Sequence, residues 1–177
     1  MWSVVILLIA VMPFIFNFFI KKEFVQSYVY IPILILAMYF SNISGFFGGI
    51  FSAYKDTKIM GKSTMIAAII NILINVILIR YIGLWAASFS TLIATFVTYL
   101  YRKIKLKKYI KFKVNVFRIF LSWLSLIISI VSYYSASFII KVLILFILSI
   151  YVLSINKEIL VLFKNIINQM KIKRLKS

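Results

Sequence analysis

The chain has 177 residues, 64% of them apolar and 18% aromatic, with only 14% charged and a mean hydropathy of +1.10. Soluble domains are near half apolar and a quarter charged, so this composition excludes both an ordinary water-soluble globule and a disordered chain. The net charge of +18 arises from 21 Lys/Arg against three acids, and Cys and His are absent, which removes disulfides, thiolate nucleophiles, imidazole bases and the usual zinc sites.

The acids are Glu23, Asp56 and Glu158. Three carboxylates so far apart in sequence do not suggest a hydrolytic acid/base pair, so no enzyme, cofactor or metal is expected. The reading that remains is an all-α, polytopic membrane protein. A membrane helix needs roughly 20 mostly apolar residues, and six such runs follow in order. The apolar runs are continuous and too long for barrel strands, which alternate over about ten residues.

The first span covers about 2–20. It has no basic residue before it, and Lys21 and Lys22 follow directly. Alone it would prefer to insert the other way round from the rest of the chain. That conflict disappears if other protein precedes it. It lacks the charged start and small-residue cleavage site of a signal peptide.

The second span covers about 28–53. Small and polar residues recur at helical spacing along it: Ser41, Ser44, Gly45, Gly48 and Ser52, with Asn42 beside them. Gly45 and Gly49 form a GxxxG pair, the pattern that lets membrane helices approach closely. Ser41 and Asn42 are candidates for lining a polar cavity. The link 54–63 carries Lys55, Lys58 and Lys62, which could hold a diphosphate or a lipid headgroup as point charges.

The third span covers about 64–79, with Ala67, Asn71 and Asn75 on one face. Two amides one turn apart are costly against lipid, which makes Asn71 and Asn75 the leading cavity candidates. Arg80 at the far end can snorkel or meet phosphate. The fourth span covers about 84–101, with Gly83, Ala86 and Ala87 as close-packing positions and Thr91 and Thr95 as further cavity candidates. The basic link 102–118 follows. The fifth span, about 119–136, carries a serine stripe at Ser122, Ser125, Ser129 and Ser132, and the sixth covers about 138–155. Each stripe has two explanations: helix packing through small residues and hydrogen bonds, or a hydrated cavity. The tail 156–177 repeats Ile159, Phe163, Ile166 and Met170 among Lys and Asn, the pattern of a basic amphipathic helix on an anionic membrane surface.

Numbering the links alternately puts 17 of the 21 basic residues on the side that holds both termini and the links 54–63 and 102–118. The positive-inside rule makes that side cytoplasmic. The basic runs are read as topology and attraction to acidic lipid. They lack the interleaved module that nucleic-acid binding would want, so no nucleic-acid partner is expected.

The stretch 24–102 resembles the C-terminal half of bacterial Wzx-type polysaccharide and O-antigen flippases, a branch of the multidrug/oligosaccharidyl-lipid/polysaccharide exporter superfamily. The resemblance rests on Tyr30–Pro32 opening a span, on Ser52-Ala53-Tyr54-Lys55-Asp56-Thr57-Lys58, and on Ser63–Thr64. It continues through Asn71 and Asn75 with Leu78–Ile79 after them, and through Gly83-Leu84-Trp85-Ala86-Ala87-Ser88-Phe89-Ser90-Thr91. Ala86 replaces the family's Gly, Ser88 and Ser90 replace Ala, and Arg80 stands where Pro is common.

The resemblance implies one six-helix lobe of a two-lobe transporter, beginning at the seventh of twelve spans, as a fragment or split product. Its activity would be the movement of undecaprenyl-diphosphate-linked oligosaccharide across the bacterial inner membrane by alternating access, for surface polysaccharide or lipopolysaccharide assembly. Its partners would be an N-terminal lobe or a second copy, the bilayer, and possible polysaccharide-assembly proteins. The competing expectations are a nontransporting scaffold subunit of such an assembly and a multidrug exporter-like half. The exporter reading would favour an intramembrane acid, and no acid lies mid-span in this sequence.

Overall fold

A computed structural model describes residues 2–19, 22–110, 116–135 and 137–155. The expected amphipathic tail and part of the second basic link lie outside the described residues. Among those described there are helices and turns and no strand. Helix α1 is Trp2–Phe19, and a 3-10 segment, Lys22–Tyr30, leads into α2 (Ile31–Ala53). Then follow α3 (Lys58–Ile82), α4 (Leu84–Leu106), α5 (Val116–Ser135) and α6 (Phe138–Ile155).

Three stretches are long and apolar enough to cross a membrane: Gln26–Ala53, Lys58–Ile82 and Leu84–Leu106. Helices α1, α5 and α6 are apolar and shorter over their described side chains. The largest departures from the expected boundaries are in the third and fourth elements. The third element begins at Lys58 instead of 64 and ends at Ile82, and the fourth runs on to Leu106 instead of stopping near 101. The cause is the same at both places. The sequence reading treats the charged residues as loop, yet a long helix can carry lysines onward without ending, because their stems reach past its apolar part.

The turns have local causes. Pro32 sits in the first turn of α2, where a missing N–H costs nothing. Helix α2 ends in a Schellman motif: the Asp56 N–H donates to the Phe51 carbonyl at 2.9 Å and the Lys55 N–H to the Ser52 carbonyl at 3.0 Å. Lys55 takes the left-handed position of that motif, with φ 59°. Gly83, φ 55° and ψ −131°, is the single residue between α3 and α4. That backbone is open to glycine and strained for other residues. Gly83 is thus a turn residue and not a close-packing one: a Cβ there would meet nothing within 4 Å.

Packing divides the helices into two connected groups. Helix α4 packs along both α2 and α3, while α3 touches α2 only slightly; α1 packs on α5 and α6, and α1 also meets α2. One core cluster joins the groups, with Ile6, Ile9, Tyr39, Phe40, Leu126, Tyr133 and Leu148 buried together. A smaller one, Phe47, Phe51 and Leu106, closes the end where α2 and α4 meet.

Beside that apolar core, the interior also takes small polar residues and the surface carries many large apolar ones. Ser44, Ser63, Ser88, Ser90, Ser125, Ser129 and Ser132 are buried, while Ile72, Val76, Phe120, Phe146 and Ile147 are exposed. Serines packed between helices and large apolar side chains facing outward are expected where the surrounding solvent is lipid. Ser129 illustrates the inner side: its hydroxyl donates to the Ile6 carbonyl at 3.1 Å, which ties α5 to α1. The α5 serine stripe is therefore a packing face.

Candidate functional site

The turn after α2, the first turns of α3 and the last turns of α4 enclose a recess of about 530 Å³. Lys58 and Lys62 stand one turn apart on α3. Tyr101, Lys105 and Lys108 follow one another at i+4 and i+3 on α4 and the turn beyond it, so the two helices present their cations to the same space. The lining is completed by Asp56, Ile59, Ile104 and Tyr109. Asp56 is already engaged: the Tyr109 hydroxyl donates to its carboxylate at 2.5 Å. That bond, with burial and the carboxylate charge adding to it, pushes the Tyr109 phenol above its ordinary value of 10.0. The Tyr109 ring also packs against Tyr54 at 4.9 Å and Phe51 at 5.8 Å between centroids, which fixes the floor of the recess.

Behind the recess lies Arg102, only 7% exposed. Its Nε donates to Ser63 Oγ at 2.8 Å, Nη1 to the Ser44 carbonyl at 2.7 Å, and Nη2 to Thr64 Oγ1 at 3.1 Å. One guanidinium thus ties α4 to α2 and α3 through neutral acceptors. Arg102 was expected in the basic link; it is a buried helix residue. A signal for it exists in the sequence, since Arg102 continues the Thr91, Thr95, Thr98 stripe by four residues.

The space for this guanidinium is made by Gly48, where a Cβ would lie 3.2 Å from Arg102 Nη1 and 3.2 Å from Met60 Cε. The expected GxxxG pair does not pack within this chain: Gly45 and Gly49 are exposed, with nothing within 4 Å of a Cβ. The close approach falls one position off the motif because α2 turns its Ser44–Gly48 face, and not its Gly45–Gly49 face, toward α4. Ala86 is fully buried, as a close-packing position should be, and Ala87 is half-buried.

The sequence-derived candidates scatter. Lys58 and Lys62 line the recess. Lys55 does not, being exposed and held in the turn. Arg80 is exposed and lies about 33 Å along α3 from Lys58 at 1.5 Å per residue, so the two cannot share a ligand's phosphate. Ser41 and Asn42 are exposed. Asn42 lines a separate hollow of about 330 Å³ between α1 and α2, otherwise apolar apart from Tyr39. Asn71 and Asn75 are half-buried on α3, and the buried Asn75 Oδ1 has no hydrogen-bond partner. Thr91 and Thr95 return their hydroxyls to the carbonyls of Ala87 and Thr91, at 2.8 and 2.9 Å, which satisfies them inside α4. The sequence does not single out Lys105, Lys108 and Tyr109 because they stand in a basic run that reads as a solvated link, nor Tyr101, which falls at the end of the fourth apolar run. Comparison with protein-family models, with curated proteins and with solved structures finds no match for this chain.

Proposed function

We propose that the chain is a six-span lobe of a bacterial inner-membrane flippase that moves undecaprenyl-diphosphate-linked oligosaccharide for surface polysaccharide assembly, working against a second lobe. The observation that carries the reading is the state of α3. Only Ser63 and Ala67 are buried along it, yet the same face continues through Asn71 and Asn75, and Asn75 keeps a buried amide oxygen without a donor. A half-open polar face on a membrane-length helix suits a counterpart lobe and a hydrated space between the two. Such a space can replace the water around a sugar-diphosphate head that is too polar to enter lipid. In this reading both termini and the recess end of α3 and α4 are cytoplasmic, following the excess of Lys/Arg there.

The experiment is complementation in a cell lacking its flippase. Surface polysaccharide should return when the chain is expressed with a matching N-terminal lobe. Stable insertion without recovery in any arrangement, including the chain alone, overturns the reading. A cysteine at position 71 or 75 should react with a water-soluble maleimide in the assembled transporter, and protection in every state removes Asn71 and Asn75 from the cargo path.

The packing of the α5 serines and the self-satisfied threonines of α4 favour a second reading, a nontransporting membrane scaffold in a polysaccharide-assembly complex. It predicts protection of both asparagines and retention of assembly partners on purification.

A further inference from the structure

We propose that the basic recess between the start of α3 and the end of α4 is a binding site for a phosphate-bearing group of two or more negative charges, at the depth of the lipid headgroups. The inference rests on the membrane reading of these two helices and not on the export of any cargo.

Four lysines, Lys58, Lys62, Lys105 and Lys108, line one recess with a single carboxylate. That carboxylate, Asp56, accepts a hydrogen bond from Tyr109 and keeps its charge, so four lysines against one acid leave the lining with a net excess of positive charge. None of the four lysines forms an ion pair among the described residues. Lys105 and Lys108 only approach aromatic rings, Tyr101 and Tyr109, at 5.8 Å each, contacts that a stronger anion would displace. Four like charges gathered around one recess repel one another, and an anion relieves that repulsion most when it brings several charges at once. Lysines are compact donors on flexible stems that suit phosphate as point charges. The volume falls in the range of about 300–1,000 Å³ usual for small-molecule sites.

The depth follows from the elements. Lys58 opens one membrane-length helix, Leu106 closes another, and Tyr101 and Tyr109 flank the cations at that same end. Tyrosine beside lysine is the signature of the membrane–water boundary. A phosphomonoester or diphosphate can arrive there on a lipid, with its chains beside the exposed face of α3, or from solution. The chemistry in the recess is common to both.

The test uses the full chain in nanodiscs of phosphatidylcholine. One arm adds inorganic diphosphate and the other replaces part of the lipid with phosphatidic acid; binding is read by calorimetry and by lipid retention in native mass spectrometry. Wild type should bind at least one probe, and Lys62→Gln with Lys105→Gln should weaken that binding about tenfold or more. Lys55→Gln and Arg80→Gln, which remove charge outside the recess, should change it less than twofold. If the first double variant does not fold by circular dichroism, Lys58→Gln with Lys108→Gln takes its place. Binding of phosphatidic acid alone assigns a lipid source, and binding of diphosphate alone a soluble one. Equal losses in the control variants, or no binding of either probe, overturn the site. Failure of complementation with binding intact would remove the flippase reading and leave this one standing.

Discussion

Arg102 Nη1 reaches the Ser44 carbonyl at 2.7 Å across the gap left by Gly48. A buried cation without a carboxylate is costly unless its donors are met, and here neutral acceptors on α2 and α3 meet them. Glycine in a helix interior is itself unfavourable by roughly 0.5–1 kcal/mol against alanine, so Gly48 stands against local propensity. The two residues should therefore be coupled. Gly48→Ala alone is expected to be neutral or destabilising by up to about 1 kcal/mol, because the guanidinium must give way. In an Arg102→Ala background the same change should be less costly or stabilising by up to about 1 kcal/mol, since the Nη1 contact is gone and the flexible Met60 end can give way. Reversible unfolding of the four variants in mixed micelles measures the cycle; additivity would show that Gly48 does not serve Arg102.

Lys55 holds a left-handed backbone position in the Schellman turn that ends α2. A side chain there costs energy that glycine does not. Lys55→Gly should raise unfolding stability by about 1 kcal/mol, and Lys55→Val, which is β-branched, should lower it. A gain from both would mean that the lysine's charge, and not its backbone, sets the effect.

The six apolar runs were legible because lipid-facing helices announce themselves by length and composition. All six helices lie where the apolar runs are, and α6 coincides with its run. The ends of α3 and α4 were not legible for a physical reason: a hydropathy reading ends a span at its lysines, while the helices continue through Lys58, Lys62 and Lys105. Arg102 was hidden by the same assumption, although its place in the threonine stripe gave a clue. The GxxxG pair misled because the motif records a capacity for close approach and not which face meets a neighbour; Gly48 is the residue that meets one. The recess needed the third dimension, since Lys62 and Lys105 are far apart in sequence and are brought together by the hairpin at Gly83.

The hydrogen bond from Tyr109 to Asp56 gives the site a pH signature. The phenol is raised above 10.0, first by that bond and then by burial and the nearby carboxylate charge. A group raised on folding contributes stability that is present below its unfolded value and is lost as pH rises through the folded one. The difference in tyrosinate absorbance between wild type and Tyr109→Phe should therefore show a phenol titrating above pH 10, with the recess turn loosening as it ionises. Asp56→Asn should bring that titration back toward the ordinary value. No downward movement in Asp56→Asn would sink the assignment.

Tyr28 and Tyr133 clasp the 3-10 segment to α5. The Tyr133 hydroxyl donates to the Tyr28 carbonyl at 2.7 Å, and the Tyr28 hydroxyl donates back to the Tyr133 carbonyl at 3.2 Å. Their rings stack at 4.3 Å with 16° between planes. Tyr134 adds a bond to the Val29 carbonyl at 2.6 Å, but it is exposed. Burial decides which bond matters more, because an exposed acceptor can turn to another donor while a buried one cannot. Tyr133→Phe should cost about 1 kcal/mol and Tyr134→Phe less, with the stacked rings retained in both. Tyr28→Phe combined with Tyr133→Phe should be coupled, since each hydroxyl fixes the ring that carries the other. Hydrogen exchange at residues 26–30 reads the clasp directly: amides there should exchange faster in Tyr133→Phe than in Tyr134→Phe. The reverse order would show that the exposed bond, and not the half-buried pair, holds the entry to α2.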